Sequence, residues 1–84
     1  MMTKTQNFKK IKELIINYES AYNDYGYAGY MIDKVNGKKK QQYEEDMDFA
    51  EGVMDDIAEQ IKELNPSKYM LNKYPEIQDI LETL

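Results

Sequence analysis

Cysteine, histidine, arginine and tryptophan are all missing from the 84 residues, and the first three absences each remove a class of chemistry. Without cysteine there are no disulfides, zinc thiolate sites or thiol nucleophiles. Without histidine the chain lacks the side chain most used as a general base near neutral pH, and the commonest transition-metal ligand. All 11 cations are lysines, so an arginine finger or a bidentate guanidinium clamp on phosphate is excluded. The expectation is a binding protein and not an enzyme, with no catalytic residue, cofactor or metal site.

Long apolar runs are lacking too. None approaches the ~20 residues that a membrane span needs, and Met1-Met2-Thr3-Lys4-Thr5-Gln6 has no signal-peptide apolar stretch. A soluble, cytoplasmic protein is expected. At this length one domain is expected, with a small core. Abundant Lys, Ile, Asn, Tyr and Glu without Arg fits an AT-rich coding genome, such as that of a low-GC bacterium or its phage.

What is present is helical periodicity. Phe8, Ile11, Ile15, Tyr18, Tyr22 and Tyr25 recur at 3–4 spacing, widened by Leu14 and Ala21. Asn7 or Thr5 is the expected N-cap. The register runs on through Gly29 and Ile32, so the helix can reach Val35 and stop at Asn36-Gly37, with Lys34 and Lys38 favoured by the dipole of its C-terminal end. Asn36-Gly37 is also a hairpin-turn signal. Residues 30–43 are therefore open to a second reading, a small β-hairpin of Tyr30–Val35 and Lys38–Tyr43. Polar Lys38–Gln42 makes a poor buried strand, which favours the helix.

The second apolar series is Tyr43, Met47, Ala50, Met54, Ile57, Ile61 and Leu64, with Phe49 and Val53 extending the seam on one side. Such a broad face can touch more than one neighbour. Asn65-Pro66 ends this helix. Two short helices are expected after it. One spans Pro66 to Asn72; Pro75 opens the other, with Ile77, Ile80, Leu81 and Leu84 on one face. The fold expected is all-α, an antiparallel hairpin of two long helices closed by a short helical tail.

Charge is distributed unevenly. Net charge is −5, yet residues 1–40 carry +4, residues 41–64 carry −8 and the tail carries −1. At ~100° per residue, Glu44, Glu45, Asp48, Glu51, Asp55, Asp56, Glu59 and Glu63 fall within an arc of roughly 140° opposite the apolar seam. Asp46 alone falls in the apolar sector; near the expected helix start, the dipole or Lys38–Lys40 can hold it. The nine acids follow one another at ~3.3 Å of helix axis, close to the ~3.4 Å per phosphate of a DNA strand. Only Lys62 interrupts them. A solvated helix more often intersperses Glu–Lys pairs at i,i+4, and like charges at that spacing cost a few tenths of a kcal/mol per pair.

The remaining constellations are weaker. Asp46–Gly52 has alanine at the fifth position of a calcium loop and a misplaced glycine, so the EF-hand template fails. Carboxylate pairs such as Asp55–Glu59 have no activating partner. Tyr18, Tyr22 and Tyr25 read as core-lining; Tyr27 and Tyr30 lie off the seam and read as an aromatic contact patch beside Gly26 and Gly29. Met31, Met47, Met54 and Met70 read as adaptable core filling. Direct nucleic-acid binding through Lys34 and Lys38–Lys40 is not expected, because the acidic second helix opposes it.

The expected function is therefore a small acidic protein-binding module. Its partner would be a basic, nucleic-acid-binding enzyme, met by Glu44, Asp48, Glu51, Asp55, Asp56, Glu59 and Glu63, with Tyr27 and Tyr30 as apolar anchors. Size, acidity and helicity are of the type found among phage-encoded inhibitors of restriction and CRISPR nucleases, a likeness of class and not of motif. The alternative is a structural or assembly protein, self-associating as a homodimeric helical bundle, whose acids confer only solubility.

Overall fold

Apolar residues three and four apart share one side of a helix, and two such stripes bury each other most cheaply when a short turn folds one helix back on the other. The computed structural model, which describes residues 4–84, has that form. Helix α1 (Lys4–Ile32) and helix α2 (Lys38–Glu63) pack antiparallel, and the short helices α3 (Lys68–Lys73) and α4 (Glu76–Leu81) follow. No strand occurs among the described residues, so residues 30–43 do not form the alternative β-hairpin.

The face of α1 follows the expected spacing: Phe8, Ile11, Leu14, Ile15, Tyr18, Ala21, Tyr25, Gly29 and Ile32 are all buried or half-buried. Tyr22 is the departure, at 61% exposed, and Ala28, which the spacing did not single out, is buried; small side chains such as Ala21 and Ala28 let the second helix come close. Gly29 also faces the second helix, and a Cβ placed there would make an ordinary van der Waals contact of 3.5 Å with the Met47 methyl. On α2 the Tyr43-to-Leu64 series is buried or half-buried throughout. Phe49, expected to extend that seam, is 76% exposed.

The helix ends also shift. α1 is already under way at Lys4, so neither Thr5 nor Asn7 caps it. It stops at Ile32, three residues short of Val35, and the Lys34 amide closes the final turn on the Met31 carbonyl at 2.9 Å. Gly37 does adopt a positive φ, +65°, but as the residue before α2 and not as the cap of α1. α2 accordingly begins five residues before Tyr43. Lys38 enters its first turn, where the dipole disfavours a cation. Asp46 lies two turns in, accepting a 3.1 Å hydrogen bond from Gln42 Nε2. Asn65, at φ 49°, takes the left-handed conformation that asparagine tolerates, and Pro66 prevents continuation. Ser67 Oγ then caps α3 by accepting from the Met70 amide at 3.3 Å.

The tail makes the protein asymmetric end to end. Ile11, Leu14 and Ile15 of α1, Ile57, Ala58 and Ile61 of α2, and Met70, Ile77 and Ile80 of the tail form the core. Leu84 falls beyond α4 and is exposed. Between Ala21 and Ala50 the hairpin has no third layer; there only Ala21, Ala28 and Ala50 are fully buried. A three-layer base thus carries a two-helix arm, within a body of 49 × 22 × 19 Å.

Candidate functional site: an acidic helix face and an aromatic groove

The burial of Ala50, Ile57, Ala58 and Ile61 against α1 dictates which side of α2 faces water. Glu44, Glu45, Asp48, Glu51, Asp55, Asp56, Glu59 and Glu63 are all exposed on that opposite side, and Lys62 is the one cation among them. The continuous 26-residue helix holds the row, which from Glu44 to Glu63 runs along roughly 30 Å. The carboxylates are strung out and not gathered: among the described residues no group of three or more acids converges as a metal site would. Their collective property is a field, not a ligand sphere.

The aromatic residues lie elsewhere. Tyr30 is 61% exposed and its ring carries the Lys34 ammonium 4.6 Å from the centroid. On the wheel it sits roughly opposite the Ala21–Ala28 seam, so it faces away from α2 and its acids. Tyr27, 60% exposed, leans into the space between the helices, where its ring meets Tyr43 edge-on with centroids 6.2 Å apart. Loss of water around Tyr43, together with Tyr27 and Asp46, raises the Tyr43 phenol pKa above its ordinary value. Tyr27 and Tyr43 stand at one end of an open groove of about 430 Å³ along the arm, floored by Ala21, Ala28 and Ala50 and flanked by Phe49 and Val53.

The site residues read from sequence therefore fall into two patches, the seven acids along α2 and the tyrosines on and around α1. Phe49 and the groove beside it were missed, because a phenylalanine next to a clean apolar seam reads as part of that seam. Lys34 and Lys38–Lys40, all exposed, form a basic tip at the turn, one helical turn above the first acids. Comparison with known proteins found no match: no family model, no curated protein and no solved structure aligns significantly with the chain.

Proposed function

We propose that the chain is a protein-binding module and not an enzyme, and that it inhibits a nucleic-acid-handling enzyme by laying the acidic face of α2 in that enzyme's basic groove. The observation that supports this reading most is the row of eight exposed carboxylates on one rigid helix, interrupted by Lys62 alone. With Asp46 the helix carries nine acids along about 30 Å of axis, one per ~3.3 Å, close to the ~3.4 Å per phosphate of a DNA strand. Like charges at i,i+4 work against helix stability, and a docking surface gives that cost a purpose.

Within the proposal Glu44, Asp48, Glu51, Asp55, Asp56, Glu59 and Glu63 supply charge. A groove that embraces the rod also reaches Tyr27 and Tyr30, which supply apolar anchoring. Rods of 22 × 19 Å cross-section are comparable in width to a nucleic-acid duplex. The class of inhibitor that phages direct against restriction and CRISPR nucleases fits this size, charge and helicity, and the bacterial cytoplasm is where it would act.

The test is affinity capture from lysate of a low-GC Gram-positive bacterium, with bound proteins released by a salt step or by competing duplex DNA. Nucleic-acid-binding enzymes released by both are the expected result, because counterion-linked contacts weaken steeply with salt. Recovery of nothing that duplex DNA displaces would contradict the reading.

A further inference from the structure

Of the six asparagines, one combines a non-helical backbone with an unhindered neighbour. Asn7, Asn17 and Asn23 lie within α1 and Asn72 within α3, where the following amide N–H is committed to a carbonyl one turn back. Asn65 precedes Pro66, whose nitrogen has no hydrogen to lose. Asn36 stands exposed in the connection between α1 and α2, and Gly37 follows it. We propose that Asn36 is a site of spontaneous covalent modification, in which the Gly37 amide nitrogen attacks the Asn36 side-chain carbonyl carbon and the residue becomes aspartate or isoaspartate.

The only co-reactant is water. The Gly37 nitrogen gives up its proton and forms a bond to Asn36 Cγ. The Cγ–Nδ2 bond breaks, and the departing amide group takes up a proton and leaves as ammonia. A five-membered succinimide remains. Water then opens the ring at Cγ, which gives aspartate, or at the main-chain carbonyl carbon, which gives isoaspartate. Either product carries a carboxylate where the native chain has an amide.

The turn favours each step. Gly37 has no Cβ to block the approach. Neither the Asn36 side chain nor the Gly37 amide has a hydrogen-bond partner among the described residues, so no bond has to be given up first. The deprotonated nitrogen and the tetrahedral intermediate are both anionic. Around them stand the exposed Lys34, Lys38, Lys39 and Lys40, with Asp33 as the one acid of residues 33–40. The start of α2 adds its positive end there, with no acid in its first turn and no side-chain cap.

The product changes the tip. Its carboxylate lies just before the first turn of α2, where the dipole favours an anion, and it offsets part of the lysine charge. Isoaspartate also adds a methylene to the main chain ahead of Gly37, whose carbonyl accepts from the Gln41 amide at 3.1 Å. That form loosens the turn, whereas the aspartate form keeps it. Nothing in this chemistry depends on the acidic face.

Incubation of the purified chain at mildly alkaline pH, followed by peptide mass spectrometry, tests the proposal. Glutamyl endopeptidase releases Ser20–Glu44, which carries Asn23 as an internal control beside Asn36. Fragmentation is expected to place a gain of one mass unit at residue 36 and none at residue 23, with aspartate and isoaspartate forms resolved by chromatography. Asn36→Gln, which would have to close a larger ring, is expected to show no gain over the same period. Gly37→Ala, with a methyl group beside the attacking nitrogen, is expected to slow the gain severalfold. An Asn36 that keeps its amide as long as Asn23 does overturns the proposal. A rate that Gly37→Ala leaves unchanged overturns it equally, since the Gly37 nitrogen would then not be the attacking group.

Discussion

The Phe8 ring meets the Tyr74 ring with centroids 5.6 Å apart, tying the start of α1 to the joint between α3 and α4. The Lys73 ammonium lies 4.9 Å from the same Phe8 centroid. These contacts hold the tail across the open end of the hairpin. Phe8→Ala should cost about 2 kcal/mol, the apolar burial of a half-buried ring plus the aromatic pair. Urea denaturation reads the loss, and hydrogen exchange should quicken first in α4.

Ile61 and Ile77 are wholly inaccessible and belong to the same core. Either one changed to alanine should lose about 2–5 kcal/mol, a large share of the roughly 5–15 kcal/mol of a domain this size. Tyr22→Ala, on the uncovered part of α1, should stay within about 0.5 kcal/mol of the native chain. Thermal melts of the three variants separate a base that holds the fold from an arm that contributes little.

Two glycines should respond in opposite ways. Gly37 has φ +65° and ψ −131°, a region almost confined to glycine, so Gly37→Ala should destabilise by about 1–3 kcal/mol. Gly52 lies within α2 with open space where a Cβ would stand, so Gly52→Ala should stabilise by about 0.5–1 kcal/mol. Equal effects of one sign would refute the turn geometry.

Tyr43 supplies a pH signature. Its phenol is raised above the ordinary value of 10.0, first by loss of water and then by Tyr27. A group raised in the folded state keeps its contribution in full below pH 10 and loses it as pH climbs through the folded value. Stability should therefore decline on the alkaline side of pH 10. In a phenolate absorbance titration, Tyr43→Phe should remove a late-ionising tyrosine, and Tyr27→Phe should bring Tyr43 back toward its ordinary range.

Much of this architecture was legible in the residues themselves. The unbroken 3–4 series from Tyr43 to Leu64 and the stop at Asn65-Pro66 place α2 and its end correctly, since periodicity and proline act locally. The face of α1 was legible as well, from Phe8 and Ile11 through Leu14, Ile15, Tyr18, Ala21 and Tyr25 to Ile32. Tyr22 was misplaced and Ala28 overlooked, because Tyr22 stays 61% exposed and Ala28 is buried, a choice set by how closely the second helix approaches. Asn36-Gly37 carried signals for both a helix cap and a hairpin turn; the polar Lys38–Gln42 stretch favoured the helix, and Gly37 in fact precedes α2. The start of α2 at Lys38 was hidden because three lysines in a first turn run against the dipole, and only packing further along the helix compensates. For the candidate site, the row of acids follows directly from the wheel. The separation of Tyr30 from those acids depends on how the two helices face each other, which no single-helix pattern records.

Whether the acidic face is a working surface is tested most directly by paired capture with two baits, the native chain and a variant with Asp48, Asp55 and Glu59 all changed to lysine. All three side chains are exposed, so the variant should retain its helical circular dichroism. Quantitative mass spectrometry of the bound proteins should find nucleic-acid-binding enzymes on the native bait, released by salt, and few or none on the reversed one. Equal recovery of the same proteins on both baits would contradict the account and leave the acids as a solvated surface.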